Sequence, residues 1–176
     1  MTTTPAEGGR AAISRDAIAF RPDTPEDRDF LRLLYHSTRA EEMRYFPFDE
    51  AQKVAFLDQQ FHAQFTYYEA NYPDCERNLI VVDGQRAGRM WIEEWPKEIR
   101  LIDIALMPEW RGSGVGGMLL RELLERGRAA GKPVTIHVEI YNPAMRLYQR
   151  LGFVKTGTTG VYDLMEWRPD QVNTAS

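Results

Sequence analysis

The chain has 176 residues, with 22 Lys and Arg against 26 Asp and Glu, and a formal net charge of −4. This balance argues against a nucleic-acid-binding protein, because such proteins present a basic surface to phosphates. The single cysteine, Cys75, excludes an intrachain disulfide and favours a reducing compartment. The three histidines are scattered, so no metal site is expected. No apolar run reaches the ~18 residues of a membrane span, so no membrane partner is expected.

The length predicts one folded domain, which we place at residues 15–168. Residues 1–14 and 169–176 are interpreted as tails, because polar and small side chains dominate there. The first ten residues contain no apolar segment of the kind that signal peptides carry. We therefore expect a cytoplasmic protein.

The first half of the chain predicts one strand and then two helices. Residues 17–20 are apolar and short, as in a strand. Thr24-Pro25 then combines a capping residue with a proline suited to the first helical position. A second helix begins at Asp49, and its apolar side chains recur every three or four residues as far as Tyr68. Pro73 marks its end.

The sequence next predicts three strands. Residues 79–82 form the first, and Asp83-Gly84 is a hairpin signal that returns the chain through residues 90–92. A turn at 94–98 leads to the third strand, residues 99–106, which is mostly apolar and therefore expected to be buried on both faces.

The last third alternates helices with strands, and the order over the chain becomes β-α-α-β-β-β-α-β-α-β-β. We predict an α/β (α+β) fold, with a mixed, mostly antiparallel sheet of six to seven strands and helices on both faces. The remaining elements are a helix at 115–130, a strand at 134–140, a helix at 143–151, and strands at 153–154 and 161–167.

The segment G-S-G-V-G-G at residues 112–117 fits the dinucleotide pattern G-x-G-x-x-G, and Glu139 follows it by 22 residues. Two features oppose that interpretation. Residues 107–111, including Pro108, separate the glycines from the preceding strand, and only 59 residues follow Gly117. A nicotinamide-dependent oxidoreductase is therefore a remote alternative.

Two other interpretations of the glycines are open. A turn that only packs a helix against a sheet needs one or two glycines with positive φ, and it does not explain the remaining glycines or the neighbouring Arg111. A pyrophosphate-binding loop explains them better. Backbone N–H groups from Arg111 to Gly117 and the start of the next helix would then converge on one anion.

Residues 104–116, I-A-L-M-P-E-W-R-G-S-G-V-G, resemble the acetyl-CoA motif of the GNAT superfamily of N-acetyltransferases. In that motif, [Q/R]-x-x-G-x-[G/A] follows a central strand, and Arg111, Gly114 and Gly116 take these places. N-P-A-M-R-L-Y at residues 142–148 resembles the second motif of the family. The resemblance covers residues 79–167 and is looser over 38–78, where acceptor contacts vary in this family.

The resemblance implies a GNAT-like fold with acetyl-CoA as co-substrate. The strand that ends at Leu106 would diverge from the strand at 134–140, and the pantetheine arm would lie between them. The backbone N–H of Leu106 would donate to the thioester carbonyl. The expected cofactor-binding residues are Leu106, Met107, Arg111, Gly112, Ser113, Gly114, Val115, Gly116, Gly117, Asn142, Ala144 and Tyr148.

Tyr148 is the expected general acid, since in the family a tyrosine at this place lies near the thioester sulfur. A phenol has a reference pKa of about 10 and can protonate a departing thiolate. The alternative is that Tyr148 only packs in the core. Cys75 lies outside both motifs, so we expect direct attack by the amine without an acyl-enzyme.

The general base is open among Asp103, His137 and Glu139, which lie on the two strands that frame the expected site. Strand alternation places Asp103 on the face opposite Ile102, Ile104 and Leu106, whereas His137 and Glu139 share a face. Each could equally have a structural role, and many members of the family work without one dedicated base.

We therefore expect an N-acetyltransferase that moves an acetyl group from acetyl-CoA to a primary amine. An amino acid, a polyamine, an aminoglycoside, a peptide N-terminus and a protein lysine all fit as acceptor, and the mild acidity leans toward a small cationic amine. The aromatic residues between Tyr45 and Tyr72 are candidates to line the acceptor pocket. The alternative from another class is a non-catalytic acetyl-CoA-binding module or sensor. A homodimer is the commonest closed assembly.

Overall fold

A computed structural model describes residues 11–170. The rest of the two expected tails, 1–10 and 171–176, lies outside the described residues. The strands are β1 Ile18–Pro22, β2 Glu76–Val82, β3 Gln85–Glu94, β4 Ile99–Leu106, β5 Val134–Glu139, β6 Val154–Thr159 and β7 Tyr162–Trp167. The helices are α1 Arg28–Met43, α2 Glu50–Asn71, α3 Val115–Ala130 and α4 Met145–Arg150.

Local signals in the sequence set the helix boundaries. Asp49 and Gln52 form a capping box at the start of α2, because the Gln52 N–H donates to Asp49 Oδ1 at 2.8 Å and the Asp49 N–H donates to Gln52 Oε1 at 2.9 Å. At the end of α3, Gly131 takes φ of 64°, a left-handed conformation that glycine adopts without strain.

The seven strands form one sheet in the order β1-β2-β3-β4-β5-β7-β6. Every neighbouring pair is antiparallel except β4 and β5, which are parallel and are joined by the crossover helix α3. The predicted element order and the mixed, mostly antiparallel sheet are both confirmed. No helix within residues 11–170 combines the length and the apolar character needed to cross a bilayer.

Two hydrophobic clusters cover the two faces of the sheet. The first lies under α3 and α4 and includes Leu120, Ile136 and Tyr148. The second lies under α1 and α2 and is built around Trp91, which is 1% exposed. Since α1 and α2 pack on one face and α3 and α4 on the other, any site between β4 and β5 is bounded by helices from both layers.

β4 departs from the sequence prediction in two respects. Only its first three residues, Ile99 to Leu101, are buried, so the expectation of a strand buried on both faces is wrong for its second half. A bulge also interrupts the alternation, because Trp91 pairs with Asp103 while Ile92 pairs with Leu101. Ile102 is the extra residue. It packs against the cluster under α1 and α2, rather than with Ile104 and Leu106.

Candidate functional site

A gap opens between β4 and β5 in the middle of the sheet. The two strands pair at only three positions, the last of which joins Leu101 to Ile136. β4 then continues to Leu106 and β5 continues to Glu139 without further pairing to each other. The strands therefore diverge, as the resemblance implied.

The backbone of Leu106 is directed into this gap. The next residue, Met107, donates its N–H to the Ala87 carbonyl at 2.8 Å, on the β3 side of the strand. Because backbone groups alternate along a strand, the N–H and C=O of Leu106 point to the opposite side, where β5 has diverged. The N–H of Leu106 can therefore donate to a group in the gap, whereas that of Met107 is already used.

The glycine-rich loop lies between β4 and α3. Gly112 and Gly114 have φ of 68° and 89°, and a Cβ built at either would meet no atom within 4 Å in the described part of the chain. These two glycines are therefore required by conformation, and the space beside them is open. Gly116 and Gly117 have no positive φ and lie in the first turn of α3, where N–H groups have no intrahelical acceptor.

Side chains of the loop fix its shape. Ser113 Oγ donates to the Trp110 carbonyl at 2.5 Å. Arg111 Nε donates to the Leu106 carbonyl at the end of β4, and its Nη2 donates to Ser37 Oγ on α1, both at 2.9 Å. Val115 is fully buried, and its N–H donates to Ser113 Oγ at 3.4 Å. Arg111 thus links the loop to the end of β4 and to α1.

α4 follows β5 and packs against the same hydrophobic cluster as α3. Asn142 precedes it, and its side-chain Oδ1 accepts the Ala144 N–H at 2.8 Å, which starts the helical turn. Tyr148 follows on α4, is 3% exposed, and meets the ring of Phe153 edge-on at 5.7 Å. Burial raises the pKa of Tyr148 above its usual range, and the nearby Asp103 carboxylate adds to this effect. The phenol is therefore protonated at neutral pH and has a proton to donate.

Each of the three candidate bases is engaged by an arginine. Asp103 accepts from Arg89 Nε at 2.5 Å, on the side of β4 that faces α2. His137 Nδ1 lies 3.1 Å from Nη1 of Arg100. Because a guanidinium only donates, Nδ1 is the acceptor and the ring proton resides on Nε2.

Both carboxylate oxygens of Glu139 accept hydrogen bonds from an arginine. Arg39, on α1, donates Nη1 and Nη2 to its two carboxylate oxygens at 2.9 and 2.6 Å. This bidentate pair joins α1 to the end of β5, next to the gap. Sequence reasoning missed all three arginines.

Two further expectations concern Cys75 and metal ions. Burial raises the pKa of the Cys75 thiol to about 12, so the thiol is protonated at neutral pH and is a poor nucleophile. Within residues 11–170, no three His, Cys, Asp or Glu side chains are grouped so that they could hold a metal ion.

Comparison with known proteins identifies the family to which this arrangement belongs. The acetyltransferase (GNAT) family profile matches residues 35–153, which is more than half of the chain. The chain belongs to the GNAT acetyltransferase family. Both motifs and the gap between β4 and β5 fall inside the matched segment.

Curated relatives of this GNAT protein match over shorter stretches. The human cysteine-rich protein 2-binding protein is 46% identical over 46 residues, or 26% of this chain and 6% of that protein. YdgE of Bacillus subtilis, described as an uncharacterized N-acetyltransferase, is 32% identical over 85 residues, or 45% of this chain and 54% of that protein. The matches thus span about half or less of these relatives.

Solved structures resemble the whole fold of this GNAT chain. The PaiA N-acetyltransferase of Thermoplasma acidophilum, solved in complex with coenzyme A, superposes with a TM-score of 0.64 at 18% identity. The match covers 86% of this chain and 98% of that one. At this identity the similarity establishes the fold.

Proposed function

We propose that this protein transfers an acetyl group from acetyl-CoA to a primary amine by direct attack of the amine. The observation that carries the proposal is the gap between β4 and β5, with the Leu106 N–H directed into it and the glycine loop at its end. Membership of the GNAT family and the coenzyme A complex of PaiA support the same cofactor here.

The residues of the gap fit such a cofactor. The open space beside Gly112 and Gly114 and the N–H groups at the start of α3 suit a pyrophosphate. The Leu106 N–H suits the carbonyl oxygen of a thioester, on which negative charge develops as the amine attacks. When bound, acetyl-CoA supplies the activated acyl group.

Proton transfers complete the reaction. The amine nitrogen forms a bond to the carbonyl carbon, the carbon–sulfur bond breaks, and Tyr148 gives its proton to the departing thiolate. The amine loses its own proton to water in the cleft, and Tyr148 regains a proton from solvent before the next turnover. We assign no single base, because Asp103, His137 and Glu139 are each held by an arginine.

The two alternative functions differ from the proposed one in what they require. A sensor would bind acetyl-CoA without turnover. A nicotinamide-dependent oxidoreductase of the doubly wound type would need a mostly parallel sheet, whereas this sheet has one parallel pair.

An amine library with acetyl-CoA tests the proposal, with release of the CoA thiol and the product mass as readouts. We expect acetylated product with at least one class of amine. Thermal stabilisation by CoA without any product would favour the sensor, and stabilisation by NAD(P) but not by CoA would overturn the proposal.

We also propose a cytoplasmic location, a homodimer, and no nucleic-acid or membrane partner. The single cysteine supports a reducing compartment, and the net charge of −4 disfavours binding to phosphate backbones. Closed twofold symmetry is the commonest assembly of such proteins.

A further inference from the structure

A small cavity lies between α1 and α2, on the face of the sheet that Glu139 shares. Its volume is about 140 Å³. Its wall is mixed: Tyr35, Met43, Phe56 and Leu57 form an apolar part, and Arg39, Glu42 and Gln60 form a polar part. Three of the apolar side chains are less than a tenth exposed, and Phe56 is half-buried. This volume is close to the ~150 Å³ that holds a benzene ring.

Arg39 connects this cavity to the gap. Its side chain lines the cavity and also donates two hydrogen bonds to Glu139 at the end of β5. Its guanidinium lies 5.6 Å from the centroid of the Tyr35 ring. One side chain therefore separates the cavity from a carboxylate at the edge of the proposed acetyl-transfer site.

The charges at this junction do not balance. Arg39 also donates to Glu42, another cavity residue, at 3.3 Å. One guanidinium thus faces two carboxylates, and Gln60, the remaining polar residue of the wall, is neutral. The excess negative charge attracts an ammonium group and repels a further carboxylate.

This inference rests on the proposed function. We propose that the acceptor is a small monoamine with a compact apolar or aromatic body and no carboxylate beside the amine. The body fills the cavity between α1 and α2, while the amine lies at Glu139 and Glu42 and from there enters the gap.

Other acceptor classes fit this site less well. An α-amino acid places a carboxylate next to its amine, where two carboxylates already share one arginine. A polyamine places a second cation in the apolar part of the wall, formed by Tyr35, Met43 and Leu57, where it has no counter-ion and its desolvation is unfavourable.

A matched panel of amines tests the substrate class. 2-Phenylethylamine and phenylalanine differ only in the carboxylate, and phenylalanine amide keeps the added size without the charge. We expect kcat/KM for 2-phenylethylamine to exceed that for phenylalanine by at least about tenfold, equivalent to about 1.4 kcal/mol. The kcat/KM for phenylalanine amide should be close to that for 2-phenylethylamine, and the kcat/KM for spermidine should be at least about tenfold lower.

Variants of exposed cavity residues test the place of binding. Gln60→Trp should fill the cavity and raise KM for 2-phenylethylamine, while methylamine, which has no body to place there, should be unaffected. Gln59→Trp is the matched control, because Gln59 is an exposed neighbour that does not line the cavity. Glu42→Gln should lower the ratio of kcat/KM for 2-phenylethylamine to kcat/KM for phenylalanine. Glu41→Gln should leave this ratio unchanged.

The outcomes separate this inference from the proposed function. Acetylation of phenylalanine or spermidine in preference to 2-phenylethylamine would overturn the inference and leave the acetyltransferase standing. Equal effects of Gln60→Trp and Gln59→Trp on the KM for 2-phenylethylamine would also overturn the inference. No product from any amine, in a protein that CoA still stabilises, would overturn both.

Discussion

Arg89 donates to Asp103 at 2.5 Å while only 3% of the arginine is exposed. Its Nη2 donates to Gln64 of α2 at 2.7 Å, and its guanidinium lies over the Trp91 ring. Nη1 is buried without a hydrogen-bond partner among residues 11–170. The Asp103 carboxylate therefore balances a buried cation, which is a structural demand on the residue whether or not it also moves protons.

Asp103→Asn should lower the free energy of unfolding by about 2–4 kcal/mol, because it leaves the Arg89 charge buried without its counter-ion. Urea denaturation measures this loss. Glu41→Gln, which breaks an exposed pair with Arg44, should change stability by less than about 0.5 kcal/mol. If Asp103→Asn keeps full stability but abolishes the pH dependence of kcat/KM, Asp103 acts as the base instead.

Tyr148→Phe should lower kcat by about 10²–10⁴-fold, because the thiolate would leave without its proton donor. Isothermal titration should find acetyl-CoA affinity within about threefold of the parent. Since the pKa of Tyr148 is raised, the parent should show no loss of activity from this group until well above pH ~10.

Tyr141→Phe is the control for that experiment, because Tyr141 is 95% exposed and should leave turnover unchanged. An unchanged kcat in Tyr148→Phe would remove this tyrosine as the acid and leave it a packing role.

Gly116→Ala should raise stability and weaken acetyl-CoA binding at the same time. The added Cβ would lie 3.8 Å from a Leu106 methyl, an ordinary contact, and alanine favours the helix by up to about 1 kcal/mol. The same Cβ would crowd a pyrophosphate against the first turn of α3. We expect a higher Tm and at least about tenfold weaker binding.

Gly114→Ala is the informative comparison. Its φ of 89° is strained for alanine, so this variant should lose about 1–2 kcal/mol of stability. Unweakened acetyl-CoA binding in Gly116→Ala would argue that the loop only packs the helix.

Cys75→Ala should keep turnover within about twofold of the parent, because a thiol whose pKa is raised to about 12 is protonated at neutral pH. The same property predicts slow alkylation of the folded protein by iodoacetamide and fast alkylation after denaturation. Loss of turnover in a folded Cys75→Ala protein would contradict direct attack by the amine.

The sequence predicted the order of the elements and the glycine loop, because each depends on local patterns. The divergence of β4 from β5 was implied only by the resemblance to the GNAT family. It did not predict the partners of the candidate bases. Arg39 and Glu139 are 100 residues apart, and only the packing of α1 across the sheet brings them together. The alternation of side chains along a strand does not reveal a bulge, so the sequence predicts the wrong face for Ile102.

The divergence of β4 and β5 also creates two unpaired strand edges inside the sheet. Exposed edges are templates on which another chain can add a strand and start aggregation. Here both edges are short, and a proline follows each of them, Pro108 after β4 and Pro143 after β5. Because proline offers no N–H to a growing ladder, the opening admits a ligand of limited length but resists extension into an intermolecular sheet.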